Sequence, residues 1–242
     1  MGGMPSTLLE LADDLDPAAE VTLMFPTVRF RSQNESSIDR CLDWRADIVM
    51  LADTGHDDVL AGYVDFLVAR RAETPGVSYA EILDSFSSDA ERFSILFGYD
   101  WLRPDIEEQF DVCADYAVLA LEIYVEPLLR GHQIGPWALA EVAHHMLPSH
   151  TGLIVVPAGG EDGESTVEVT EFERRRGTHR ARHWSDAGLV PLLSCPEFLC
   201  GSAAYTHMDT ARQALADTAA GMFVLSAAAI REHATILDAD PC

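Results

Sequence analysis

The segment at 117–150, AVLALEIYVEPLLRGHQIGPWALAEVAHHMLPSH, is the part of the sequence that most limits how this chain can fold. Its first nine residues, AVLALEIYV, are apolar and rich enough in β-formers to predict a strand. From Pro136 onward, apolar residues recur at the spacing of a helix. Only the turn Arg-Gly-His-Gln-Ile-Gly, at 130–135, joins the two patterns. The chain therefore has to place a strand end directly against a helix start.

This joint has the composition of an anion-binding turn. We expect Pro136 at the first helical position, because its missing N–H is one that a helix leaves unpaired. The amides from Gly131 to Gly135 would then lie at the positive end of the helix dipole, where a pyrophosphate meets several donors. A turn that only connects a strand to a helix explains the same residues.

Charge and length limit the partners and the chemistry. A chain of 242 residues with 48% hydrophobic residues is sufficient for one large domain with its own core. The net charge of -24 argues against nucleic acid as a partner and favours a cationic substrate. All sixteen basic residues are arginine, and the lack of lysine excludes P-loop phosphate binding and pyridoxal chemistry.

The cysteines and the apolar segments indicate where the protein works. Its five cysteines are odd in number and scattered, which predicts reduced thiols in the cytoplasm rather than a disulfide framework. The acidic start STLLELADDLDPAAE lacks the basic residues of a secretory signal. The apolar run TAAGMFVLSAAAI, at 218–230, is too short to span a bilayer, so no membrane is expected as a partner. We interpret it as a buried helix or an interface, and therefore expect a homodimer.

The remaining patterns predict a mixture of strands and helices. A hairpin is expected at 47–71 around the polar turn DTGHDD. Ser78 and Glu81 form a capping box at the start of a helix over 78–98. Further strands are predicted at 20–30, 152–158, 189–193 and 197–203, and further helices at 38–46, 180–188 and 208–236.

The run LEIYVEPLLRGHQIGPWAL resembles the acyl-CoA motif of the GNAT superfamily of acyl-CoA-dependent N-acyltransferases. That motif is a strand ending in Val-x-Pro, then Arg/Gln-x-x-Gly-x-Gly/Ala and a helix. Val125, Pro127, Arg130 and Gly135 match it. The segments VLAGYVDF before the motif and ARHWSDAGLVPLL after it also fall in the family's order.

The resemblance implies a fold and a division of the chain. The fold would be α/β, of the α+β kind, with a mixed, mostly antiparallel central sheet flanked by helices. The acyltransferase domain would cover 20–205, after an N-terminal leader at 1–19 and before a C-terminal helical extension at 206–242.

The resemblance also implies how acetyl-CoA binds as co-substrate. The motif strand would separate from the strand at 152–158, and the pantetheine arm would pair with the backbone of Ile123 and Val125. The pyrophosphate would lie on the turn built from Arg130, Gly131, His132, Gln133, Ile134 and Gly135. The arginines of RRRGTHRARH would hold the 3′-phosphate, unless this segment is only a solvated loop; they are Arg174, Arg175, Arg176, Arg180 and Arg182.

The family's reaction is direct attack of an amine on the acyl carbonyl, which needs a base and an acid. Glu122 is the expected base, since family members often carry a glutamate in this strand; a solvated carboxylate is the alternative. Trp184 stands where the family usually has its tyrosine acid, and an indole cannot donate a proton in this pH range. Tyr124, on the same predicted strand face as Glu122, is the substitute. Gln133 also departs from the family, which usually has a glycine there.

The sequence thus favours an acyltransferase that moves an acetyl or other acyl group from acyl-CoA to a cationic small-molecule or protein amine. The alternative is a non-catalytic acyl-CoA-binding or interaction protein. A metal hydrolase comes third, and no metal is expected, because the histidines and cysteines lack the spacing of a zinc site. Those residues are His144, His145, His150, Cys195 and Cys200.

Overall fold

A computed structural model of the chain describes residues 5–33, 40–55, 58–72, 76–158 and 183–234. In these ranges, the strands are β1 (Ser6–Thr7), β2 (Glu20–Ser32), β3 (Cys41–Ala52), β4 (Val59–Arg70), β5 (Tyr116–Val125), β6 (Gly152–Pro157), β7 (Val190–Pro191), β8 (Phe198–Ser202) and β9 (Met222–Ser226). The helices are α1 (Leu8–Asp13), α2 (Tyr79–Asp84), α3 (Ser88–Glu91), α4 (Pro104–Phe110), α5 (Ile134–Met146), α6 (Tyr205–Ala214), α7 (Ala216–Ala219) and α8 (Ala227–His233). Two 3₁₀ turns occur, at Arg92–Leu96 and Pro127–Leu129.

The strands form one mixed sheet in the order β7-β8-β6-β5-β4-β3-β2-β9, and β1 pairs with the start of β4. Neighbouring strands are antiparallel except for β5 with β6 and β1 with β4, which are parallel. The predicted fold class, a mostly antiparallel mixed sheet flanked by helices, is therefore confirmed.

Both faces of the central strands are buried, because side chains alternate between two cores. Phe66 of β4 points into the core that contains α5, α1 and α8, where Trp137 and Ile230 are also buried. Leu67, the next residue, points into the core under α2, α3 and α4, with Tyr79 and Phe93. Strands β4 and β5 are consequently packed from both sides along most of their length.

Strands make up more of the chain than the sequence patterns predicted. The helix expected at 38–46 is wrong, because β3 begins at Cys41 and runs through Ala46. Ser78 and Glu81 do form the predicted capping box, but the helix ends at Asp84 and is followed by α3 and a 3₁₀ turn.

The two ends of the chain add strands and buried residues to the same sheet. Leu8 and Leu11 of α1 are buried in the core that contains α8. At the other end, 208–236 was expected to be mostly helical, yet Met222–Ser226 forms β9 and pairs with β2. The leader and the C-terminal extension therefore each contribute to the central sheet.

Candidate functional site

Strands β5 and β6 run side by side at first and then separate. Their pairing ends at Leu119 opposite Val155. Strand β5 continues to Val125 in pairing with β4 alone, and β6 continues in pairing with β8 alone. A bulge at Leu121 shifts the register of β5 at this point, and bulges bend and twist a strand. The result is an opening in the middle of the sheet beside residues 121–125, which we call the strand slot.

The backbone of Ile123 and Val125 faces this slot. The amide of Glu126 donates to the carbonyl of Ala61 on β4 at 3.0 Å. Because backbone groups alternate in direction along an antiparallel strand, the odd residues 123 and 125 turn their N–H and C=O away from β4. One of these groups is already engaged, since Arg130 Nε donates to the Val125 carbonyl at 2.9 Å.

A row of unpaired backbone amides lies below the slot, where α5 begins. In the described part of the chain, the N–H groups of Gly131–Gly135 donate to no acceptor, and the first helical bond runs from Trp137 N–H to the Gln133 carbonyl at 3.0 Å. Gly131 and Gln133 have left-handed backbones, with φ of 85° and 60°. We call these five N–H groups the amide cradle; they stand at the positive end of a 13-residue helix, where an anion is stabilised.

The helix starts earlier than the sequence predicted. It begins at Ile134, so Pro136 is its third residue rather than its first. The prediction of the first position is wrong, but no hydrogen bond is lost, because all N–H groups of the first turn lack a partner within the helix.

A cavity of about 260 Å³ joins the strand slot to the amide cradle. Its lining consists of Ile123, Val125, Leu129, Arg130, Gly131, Gln133, Ile134, Gly135, His183 and Trp184. These include every residue expected to bind the pantetheine arm and the pyrophosphate except His132. The ring of His132 instead packs edge-on against Phe223, 5.0 Å between centroids.

Gly135 and Trp184 set the width of the cavity. A Cβ on Gly135 would stand 3.6 Å from Ile123 Cγ2 and 3.6 Å from Trp184 Cη2. Such contacts are ordinary, so alanine would fit, but any larger side chain would fill the space between β5 and the indole. The lack of a side chain at 135 therefore keeps the cavity open.

Gln133 connects the cradle to the helical turn that contains Trp184. Its side-chain Nε2 donates to Asp186 Oδ2 at 2.9 Å, and its Oε1 is buried without a partner in the described residues. Gln133 thus has a left-handed backbone, which is unfavourable for a residue with a side chain. Its exposed hydrogen bond to Asp186 offsets part of this cost. The arginines from Arg174 to Arg182, expected at the CoA 3′-phosphate, lie outside the described residues.

Glu122 and Tyr124 lie on the opposite face of the sheet from the cavity. Glu122 is exposed and stands directly across from Asp65 on β4. Tyr124 stands across from Tyr63, with the two rings stacked at 5.5 Å. The Tyr124 hydroxyl is buried and has no hydrogen-bond partner among the described residues. Glu122 and Tyr124 are therefore next to the slot, on the face of the sheet opposite the cavity.

Burial and neighbouring charges shift the pKa values of several groups around Glu122 and in the cavity. Burial raises the pKa of Asp65 to about 6. The positive charge of Arg45, whose Nε lies 3.6 Å from Asp65 Oδ1, lowers this pKa, and the negative charge of Glu122 raises it. Burial and the neighbouring Glu122 also raise the pKa of Tyr63. In the cavity, burial lowers the pKa of His183, so its imidazole is neutral at pH 7. The sequence reasoning missed Asp65, Tyr63 and Arg45, because only strand register brings them to Glu122.

Other regions offer less chemistry. Two larger concave regions, of about 360 and 450 Å³, lie at the far end of β5, around α4 and around Arg70 and Tyr116. They are lined mainly by charged and exposed side chains, and neither reaches the strand slot. In the described ranges, no group of three or more His, Cys, Asp or Glu is placed to hold a metal. Within the same ranges, no helix is long and apolar enough to cross a membrane.

The strand slot, the amide cradle and the carboxylates near Glu122 meet around the end of β5. The slot can pair with an extended chain that carries amides, and the cradle can hold an anionic group at its end. The carboxylates can take a proton on the other face. No family model, curated protein or solved structure matches this chain.

Proposed function

We propose that this protein is a GNAT-type acyltransferase that moves an acetyl or other acyl group from acyl-CoA to an amine. The observation that carries the proposal is the strand slot opening directly onto the amide cradle through one cavity. Coenzyme A is an extended arm with amide groups that ends in a pyrophosphate. Such a molecule needs strand-pairing groups and free N–H groups next to each other, in this order.

In this proposal the pyrophosphate accepts hydrogen bonds from the amide cradle at Gly131–Gly135. The pantetheine amides pair with the backbone of Ile123 and with the N–H of Val125. The Val125 carbonyl does not bind the arm, because it already accepts a hydrogen bond from Arg130. The thioester then lies in the strand slot, near the bulge at Leu121.

The acceptor amine approaches from the other face of the sheet. Glu122, or Asp65 beside it, takes the proton of the ammonium group. The nitrogen lone pair attacks the thioester carbonyl carbon, a C–N bond forms, and the carbonyl oxygen becomes an oxyanion. The C–S bond then breaks, and the attacking nitrogen loses its second proton, which reaches the leaving thiolate through the Tyr124 hydroxyl or through solvent. Two carboxylates beside the slot favour a cationic acceptor.

One observation favours the second candidate, a non-catalytic acyl-CoA-binding protein. Trp184 lines the cavity at the place where the resembling family carries its acid, and an indole has no proton to give. In that case the cavity would bind acyl-CoA without turnover.

The test combines a thermal shift with calorimetry for CoA and acetyl-CoA, followed by release of free thiol with a panel of polyamines, amino sugars and basic peptides. Ligand at about 100 times its dissociation constant should stabilise the fold by about 2.7 kcal/mol. Gly135→Val should abolish the shift by filling the cavity, whereas Gly98→Val, on an exposed loop away from the cavity, should not.

Each outcome decides between the candidates. Binding with thiol release supports the acyltransferase, and binding without thiol release supports the non-catalytic protein. No shift with any acyl-CoA refutes both.

The cytoplasm is the compartment that we assign together with this function, because acyl-CoA is an intracellular donor. The free thiols Cys41, Cys195 and Cys200 are buried. Burial raises the pKa of Cys41 to about 12 and also raises that of Cys200, so these two thiols are unreactive.

A further inference from the structure

Strand β9 stands at the end of the sheet and, in the described part of the chain, pairs only with β2. Two bonds fix the direction of its backbone groups: Phe25 N–H donates to the Gly221 carbonyl, and Ala227 N–H donates to the Ala19 carbonyl. The odd residues of β9 therefore bond to β2. By alternation, Met222, Val224 and Ser226 turn their backbone groups outward.

Among the described residues, the outward edge of β9 has no pairing partner, and the exposed side chains beside it are apolar. Met222 and Val224 are 67% and 61% exposed. Leu51, on the nearby β3, is 46% exposed. Natural proteins usually protect an open edge with lysine, proline or a bulge, and β9 has none of these.

Charge indicates which molecule covers this edge. The chain carries a net charge of -24, so two copies repel each other over most of their surface. The run AAGMFVLSAAA, at 219–229, has no charged residue. It is therefore a place where two copies can approach each other at low electrostatic cost.

The geometry of the edge is also self-complementary. In an antiparallel pair about a two-fold axis at Val224, this residue exchanges both its N–H and its C=O bond with its equivalent in the second copy. On either side, Ser226 N–H then meets the Met222 carbonyl of the other copy. The facing valines form a β-branched cross-strand pair, and neither copy of β9 carries a charged side chain.

We propose that β9 is a dimerisation edge, on which a second copy of this chain pairs antiparallel about Val224. The two sheets then become one continuous sheet. This proposal does not depend on acyl transfer, because the edge lies at the opposite side of β2, β3 and β4 from the strand slot.

Light scattering across a micromolar concentration series tests the proposal. Wild type should have twice the mass of the 26.5 kDa chain. Val224→Pro should be a monomer, because proline removes an outward N–H but no bond to β2. Val224→Glu should also be a monomer, because it opposes two like charges at the axis. Val77→Glu, at a valine that is 59% exposed elsewhere, is the matched control and should stay a dimer.

Two results would overturn the proposal. The first is a monomeric wild type throughout the concentration series. The second is a dimer whose dissociation constant Val224→Glu leaves unchanged, which would place the interface on another surface. Circular dichroism should show that both Val224 variants are folded, and if the proline variant is not, Val224→Glu alone decides.

Discussion

Gly62→Ala tests the close contact between β4 and β5 at the strand slot. Gly62 pairs with Val125, where β5 has already left β6. A Cβ at this position would stand 2.2 Å from the Tyr124 carbonyl oxygen and 3.0 Å from the Val125 Cα. Both atoms belong to the backbone, so no side-chain rotation relieves the clash. Since carbon–oxygen contacts need about 3.3 Å, the strands must move apart by roughly 1 Å.

The expected loss of stability follows from this displacement. Overpacking costs about 1–3 kcal/mol, and each weakened ladder bond adds about 1 kcal/mol. Alanine returns about 0.5–1 kcal/mol by restricting the unfolded chain. The net loss should be about 3 kcal/mol, which lowers Tm by about 6–12 °C in a chain of this length.

Urea denaturation followed by circular dichroism measures the loss. Gly98→Ala is the matched control, because a Cβ there would have its nearest contact at 3.6 Å, an ordinary distance. If the two variants agree within about 0.5 kcal/mol, β4 and β5 are not in the close contact described, and the reasoning fails.

Three further changes test the site itself. Glu122→Gln should lower turnover on an amine by about 10²–10⁴-fold with CoA binding intact, measured by thiol release and calorimetry, and unchanged turnover would remove Glu122 from the mechanism. The raised pKa of Asp65, about 6, gives a contribution to stability that is present below its unfolded value near 3.8 and is lost as the pH rises through 6. Asp65→Asn should therefore gain stability relative to wild type between pH 4 and pH 8 in urea unfolding; a constant difference contradicts this. Gln133→Gly and Gln133→Ala both lose the bond to Asp186, but only glycine relieves about 1 kcal/mol of left-handed strain, so the glycine variant should have a Tm about 2–4 °C above that of the alanine variant; equal Tm values contradict the strain.

Local sequence patterns predicted those parts of the fold that local chemistry decides. The hairpin of β3 and β4 has two β-branched runs and a polar turn, and the capping box at Ser78 depends on residues three apart. The error at 38–46 has a physical reason: Asp43, Arg45 and Asp47 alternate with Trp44 and Ala46, which is a strand pattern with a polar face. Pairing with β2 and β4 on both sides, rather than local propensity, stabilises it.

The candidate site divides in the same way. The glycines and the helix start at 131–136 indicated the amide cradle, because those features are contiguous. The neighbours of Glu122 were not predictable, since Asp65 and Arg45 reach it only through the register of three strands. The bulge at Leu121, which sets that register, carries no sequence signature of its own.

The separation of β5 and β6 also has a consequence for hydration. A buried N–H or C=O without a partner costs about 1–3 kcal/mol, so the backbone of Ile123 and the N–H of Val125 need water whenever no ligand is bound. The sheet therefore has a hydrated edge inside it, at the strand slot, in addition to its two outer edges. A ligand that enters the slot replaces water as the hydrogen-bond partner of these backbone groups. Binding and release therefore leave the hydrogen bonds between neighbouring strands intact. The protein can thus bind a ligand by strand pairing without breaking the pairing between any of its own strands.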